Sequence, residues 1–147
     1  MTSIPYISAT NYLLMNKLIL LSSFLLIFIA CQNGQKQAFT DTERADILVS
    51  ASQVQQIIDS NSATLIDVRT PKEIANGKIS DALEIDFRSD AFKTEISKLD
   101  KNKSYVVYCK SGGRSHNAYN IMKELGFSKV KDLEGGYKAW SSYQSKN

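Results

Sequence analysis

Tyr105-Val106-Val107-Tyr108-Cys109-Lys110-Ser111-Gly112-Gly113-Arg114-Ser115 (YVVYCKSGGRS) is the stretch from which the fold of this chain is read. Its first four residues form an unbroken apolar run of β-branched and aromatic side chains, the composition of a strand buried on both faces. A helix begins near Arg114, because Ala118, Ile121, Met122 and Leu125 fall at i, i+3, i+4 and i+7 and Gly126 stops the pattern. Between strand and helix, Gly112 and Gly113 let the backbone curl without Cβ clashes. A strand that turns through a glycine loop into a helix is a unit of the α/β class. Open α/β sheets place ligands at the carboxyl ends of their strands, where this loop lies.

Working outward, the same alternation repeats. Ile47-Leu48-Val49 predicts a first strand. Ser50 is placed to cap the next helix, with Gln53 completing a capping box and Val54, Ile57 and Ile58 on its inner face. Ala63 to Val68 (ATLIDV) reads as a strand closed by Thr70-Pro71, and Ala82 to Ile85 as a weaker one. Phe92, Ile96 and Leu99 repeat at helical spacing. Val130 to Leu133 predicts a last strand, and a helix through Trp140 ends the chain. Such short strand–helix units predict an α/β domain over residues 47–147, a parallel sheet with helices on both faces. Trp140, Tyr119, Tyr137 and Tyr143 read as core and rim packing.

The chain has 147 residues, a length for one domain, and 18 basic against 15 acidic side chains, too small an excess to argue for nucleic acid. At 43% hydrophobic and 22% charged residues it is neither a disordered tail nor a multi-span membrane protein. Its two cysteines exclude a disulfide-rich scaffold and leave one bridge arithmetically open. Residues 1–30 carry a single charged side chain, Lys17, and Leu18 to Ala30 (LILLSSFLLIFIA) is apolar except for Ser22 and Ser23. That run is short of the roughly 20 residues a spanning helix needs, but it has the length of a signal-peptide h-region.

Phe28-Ile29-Ala30-Cys31 resembles the lipobox of a bacterial lipoprotein signal, although Phe28 is bulky and the small residue usual at position 29 is absent. The resemblance implies cleavage before Cys31 and lipidation of that cysteine. It also implies a membrane anchor through the N-terminal lipid, on the periplasmic side of the bacterial cell envelope. Met15-Asn16-Lys17 reads as an ordinary start for such a signal, which makes residues 1–14 an upstream extension. Residues 31–46 then form the lipidated terminus and a polar, flexible tether. With Cys31 consumed by lipid, no internal bridge forms and Cys109 is the only thiol left.

Cys109 sits at the rim of the glycine loop, beside Lys110 and Arg114 and at the positive start of a helix. That setting lowers a thiol's pKa and favours the thiolate. The amides of a glycine-rich turn form a concavity that takes an anion. Lys110, Ser111, Gly112, Gly113, Arg114 and Ser115 are therefore the candidate binding set, with Cys109 as nucleophile. Two plainer readings compete. An isolated cysteine at a strand end is often an inert small hydrophobe, and a phosphate loop would need a Gly-Lys-Ser/Thr ending that is absent here.

Cys109-Lys-Ser-Gly-Gly-Arg-Ser115 resembles the active loop of rhodanese domains, in which cysteine opens a six-residue loop closed by arginine. Three further stretches agree in order: Asp67-Val68-Arg69 with Glu73, Gly77-Lys78-Ile79-Ser80-Asp81-Ala82, and Leu133-Glu134-Gly135-Gly136 with Trp140. The family usually has histidine at Lys78, glycine at Asp81 and asparagine at Glu84, all outside the cysteine loop. Related cysteine phosphatases place five residues between cysteine and arginine, where this loop has four.

The resemblance implies a monomeric sulfurtransferase without metal or organic cofactor. It would move sulfane sulfur from a thiosulfate-like anionic donor to a thiol acceptor, or to cyanide, through a persulfide on Cys109. A module that accepts persulfide or senses redox state without turnover is the alternative. Asp67 is expected either to pair with Arg114 and hold the loop or to serve as an ordinary turn residue. Arg69 and Glu73 are expected to form a structural ion pair, and His116 to occupy a solvated helix position rather than act as a base.

Overall fold

The computed structural model describes residues 46–147. The expected signal segment and upstream extension, Cys31 and nearly all of the expected tether lie outside the described residues. Five strands carry the domain: β1 (Leu48–Val49), β2 (Thr64–Asp67), β3 (Leu83–Glu84), β4 (Tyr105–Tyr108) and β5 (Val130–Leu133). They pair in the order β1-β5-β4-β2-β3, and every pairing is parallel. Thr64 stands opposite Tyr105 and Asp67 opposite Tyr108, so β2 and β4 end level with each other. Between the strands run α1 (Ala51–Ser60), α2 (Pro71–Ile74), α3 (Phe92–Ser97), α4 (Gly113–Glu124) and, after β5, α5 (Gly136–Gln144).

Strand β4 is central and all four of its residues are buried. Successive side chains of a strand point to opposite faces, and the two faces meet different helices. Val106 and Tyr108 pack with Val54 of α1 and Trp140 of α5. Tyr105, Val107 and Cys109 pack with Phe92 and Ile96 of α3 and with Ala118 and Met122 of α4. This is the expected sheet with helices on both faces. The edge strand β3 is short and exposed at both residues, which offers little to a stray pairing partner.

The capping box of α1 forms as expected: the Gln53 amide donates to Ser50 Oγ at 3.3 Å, and Ser50 N–H donates to Gln53 Oε1 at 2.8 Å. Thr70-Pro71 differs. The sequence predicts a strand stop there and nothing more, whereas the structure starts a one-turn helix, α2, at Pro71. Proline is at home in the first helical position, where its missing N–H would have had no partner in any case. That turn brings Glu73 to the site.

Candidate active site

Cys109 follows directly on β4 and is 1% exposed. The chain then turns outward: Lys110 and Ser111 are exposed, Gly112 takes a left-handed φ of 101°, and α4 begins at Gly113. A side chain at Gly112 would be strained in that conformation. The turn aims the Gly112 amide back at the sulfur, 3.2 Å away. Burial by itself pushes the Cys109 thiol up. The amides of Ser115 and Ser111, the Ser115 hydroxyl and the Gly112 amide outweigh it, leaving the thiol below its ordinary value. Ser115, buried at the first turn of α4, also donates its hydroxyl to the Gly112 carbonyl at 3.1 Å.

The loop is held from behind by the start of α5. Tyr137 N–H donates to the Cys109 carbonyl at 2.8 Å and Lys138 N–H to the Lys110 carbonyl at 3.1 Å. In a trans peptide the carbonyl of one residue and the N–H of the next point opposite ways. Drawing those two carbonyls outward turns the Lys110 and Ser111 amides inward. Gly135 and Gly136, at φ of 68° and 60°, give α5 this approach. A Cβ on Gly136 would stand 2.9 Å from both Lys110 C and Ser111 N and closer still to the Cys109 carbonyl oxygen. Sequence reasoning noted Gly135-Gly136 only as part of a family resemblance. The signal available was a second glycine pair between a strand and a helix, on the strand next to β4.

The charged residues around the loop pair differently from expectation. Asp67 does not reach Arg114. It accepts from its near neighbour Arg69, from Nη2 at 2.6 Å and from Nε at 2.9 and 3.0 Å, because residues two apart on an extended chain share a face. Burial alone would lower the Arg69 pKa, but the hydrogen bonds and charge of Asp67 raise it. Arg69 also donates to the Gly77 carbonyl at 2.8 Å and lies 4.0 Å from the Tyr137 ring centre. It thereby ties β2, the Gly77 turn and α5 together.

The expected Arg69–Glu73 ion pair is absent; only the Glu73 carbonyl touches Arg69, at 3.4 Å. The Glu73 carboxylate faces the other way from α2 and takes Arg114 in a two-pronged bond, both contacts 2.7 Å. Thr70 N–H and Oγ1 donate to the same carboxylate at 3.0 Å each. Arg114 holds the Glu73 carboxyl at about 2, against the opposing effect of burial and with help from Thr70. Glu73 thus serves the loop arginine and not Arg69, contrary to the expected pairing.

His116 is half-buried with its ring stacked on Tyr119, centroids 6.5 Å apart, rather than solvated. The three departures from the family pattern lie together. Lys78 Nζ donates to Glu84 Oε1 at 2.7 Å, linking the Gly77 turn to β3, and Asp81 adds its charge near Lys78. Among the described residues, no group of three or more His, Cys, Asp or Glu is placed to hold a metal ion. A cavity of about 500 Å³ lies at the amino ends of β4 and β5, between Tyr105, Tyr119 and Val130, at the other end of the sheet from Cys109.

A profile of the rhodanese-like domain matches residues 50–143. A sulfurtransferase of Allochromatium vinosum is 36% identical over 94 residues, covering 64% of this chain and 86% of that one. Thiosulfate sulfurtransferase 16, chloroplastic, of Arabidopsis thaliana is 33% identical over 86 residues, 52% of this chain and 72% of its own. The crystal structure of a rhodanese-related protein from Thermoplasma volcanium superposes with a TM-score of 0.59 at 28% identity, covering 65% of this chain and 90% of the other.

Proposed function

The chain belongs to the rhodanese-like domain family, and from that membership we propose that Cys109 is the nucleophile of a sulfurtransferase whose donor is a thiosulfate-like anion. Sulfur transfer in general is the activity of its sulfurtransferase relatives; the donor and the persulfide are the proposal. The Cys109 thiolate attacks the outer sulfur of the donor. A sulfur–sulfur bond forms on the enzyme, the sulfur–sulfur bond of thiosulfate breaks, and sulfite leaves with that bond's electron pair. Charge and atoms balance without an oxidant. An acceptor thiolate, or cyanide in an assay, then takes the outer sulfur and returns Cys109 to the thiolate.

One observation carries the reading. The thiol is lowered although it is buried, because the amides of Ser111, Gly112 and Ser115 act on its sulfur. Those donors are in place before reaction and suit an anionic sulfur at that spot, whether thiolate or persulfide. The four-residue gap between Cys109 and Arg114 supports sulfur over the larger phosphate, and the name of the Arabidopsis relative supports thiosulfate among donors. At the other end of the chain, acylation of Cys31 holds the domain at the cell envelope. Partition of the mature protein into detergent, lost in Cys31→Ser, tests that part.

Incubation of the purified protein with thiosulfate should add the mass of one sulfur atom. The gain should be absent in Cys109→Ser, and cyanide should release it as thiocyanate. Sulfur loading without release to any thiol or to cyanide would favour the non-turnover carrier. An unmodified wild-type mass would overturn the enzyme reading.

A further inference from the structure

We propose that Glu73 sets the charge of the Cys109 loop: by neutralising Arg114 it keeps the loop's grip on anions weak enough for an anionic product to leave. The inference rests on the sulfur-transfer reading of Cys109. It begins from the pairing itself. Arg114 closes the loop, and both of its terminal nitrogens are engaged at 2.7 Å by the two Glu73 oxygens. Glu73 is in turn fixed by Thr70 N–H and Oγ1, so the carboxylate is not free to swing away. The Cys109 sulfur lies within electrostatic reach of the same guanidinium, and the charge of Asp86 acts on it more weakly. Lys110, by contrast, stands exposed on the rim.

Charge balance has a kinetic consequence. Thiosulfate and sulfite are both dianions, so a bare Arg114 would bind donor and product about alike. Binding that is equal before and after the transfer does not speed it; it lowers KM and delays release. With Arg114 neutralised, the amides that face the sulfur do the selective work at the reacting atom, and the departing sulfite meets a weaker field. Glu73 in this role is a positioning and charge-setting residue, acting on substrate through Arg114.

Alkylation of Cys109 reads the local charge without any turnover. The ratio of the rate with iodoacetate, an anion, to that with neutral iodoacetamide reports the field at the sulfur. In Glu73→Gln that ratio should rise by about tenfold at low salt, the lower end of what one charge at a few ångströms does. The rise should fade near 1 M salt, where the screening length is about 3 Å. Glu73→Asp keeps the charge and should return the ratio close to wild type. In turnover, Glu73→Gln should lower KM for thiosulfate together with kcat and make sulfite a tighter product inhibitor.

A Glu73→Gln protein that melts lower but keeps the wild-type alkylation ratio would show Glu73 to be a strut only, and would overturn the proposal. Should that variant not fold, Lys110→Gln leaves the pair intact. It should remove most of the salt dependence of the ratio, and salt dependence that persists would mean Arg114 acts as a bare cation. Failure of thiosulfate to load Cys109 would sink the sulfur-transfer reading while leaving these alkylation ratios as readable as before.

Discussion

Two ion pairs in this domain have nearly the same length and should differ severalfold in what they contribute. Arg69 Nη2 lies 2.6 Å from Asp67, whose side chain is 0% exposed against 3% for the arginine. Lys78 Nζ lies 2.7 Å from Glu84, at 36% and 47% exposure. Truncating Asp67 to alanine takes away three contacts from the Arg69 guanidinium and one from its backbone N–H. What remains to the arginine is the Gly77 and Glu73 carbonyls and the faces of Tyr137 and Tyr108, none of which carries a full negative charge. A buried charge stranded in this way costs about 3–5 kcal/mol. Glu84→Ala breaks a solvated pair whose attraction water screens, and costs only a small fraction of that.

For a domain of this size each kcal/mol moves the melting temperature by about 4–8 °C. Asp67→Ala is therefore expected to melt at least about 12 °C below the wild type, and Glu84→Ala much closer to it. Urea unfolding with an unchanged m-value would confirm that the loss is one of stability and not of two-state behaviour. Asp67→Asn keeps the shape and one acceptor oxygen and should fall between the two, which secures a reading if the alanine variant does not fold. An Asp67→Ala protein within 1 kcal/mol of Glu84→Ala would refute the reasoning, since burial would then have no bearing on the cost.

Two further outcomes follow from the same geometry. Gly136→Ala pushes a methyl group into the Cys109–Ser111 backbone from a residue already at positive φ. It should fold with a loss of about 1–3 kcal/mol but take up sulfur from thiosulfate more slowly, followed by mass against time. The second concerns acid. The Glu73 carboxyl is lowered from 4.5 to about 2, so its stabilisation is complete above 4.5 and is lost as pH falls through about 2. The gap in urea midpoint between wild type and Glu73→Gln should thus hold steady down to about pH 5 and close as pH approaches 2.

Most of the fold was legible because its elements announce themselves locally. Strand β4 is apolar at every position, the Ser50–Gln53 box marks where α1 begins, and the apolar spacing from Ala118 to Leu125 marks α4. The loop that carries Cys109 was legible for the same reason, as a strand, two glycines and a helix start are contiguous in sequence. Which charges pair across the site was not. Asp67, Arg69, Glu73 and Arg114 offer several pairings, and the choice turns on α2, a single turn with too few residues to show a period. Once Pro71 starts that turn, Glu73 faces the loop and Arg69 is left to Asp67.

The part of the site furthest from view in the sequence is the side away from the substrate. A loop's amides face inward only if its carbonyls are satisfied elsewhere, and here the partners come from α5, the helix that follows β5. Sheet order makes this work: β5 lies next to β4, so the helix that follows β5 starts beside the loop that follows β4. Each loop turns on its own glycine pair. Gly112-Gly113 bends the chain over the sulfur, and Gly135-Gly136 lets two N–H groups come close enough behind it to take the Cys109 and Lys110 carbonyls. The low thiol is thus a property of two adjacent strand–turn–helix units rather than of one. For that reason Gly136, which touches no substrate, should matter to Cys109 nearly as much as Gly112 does.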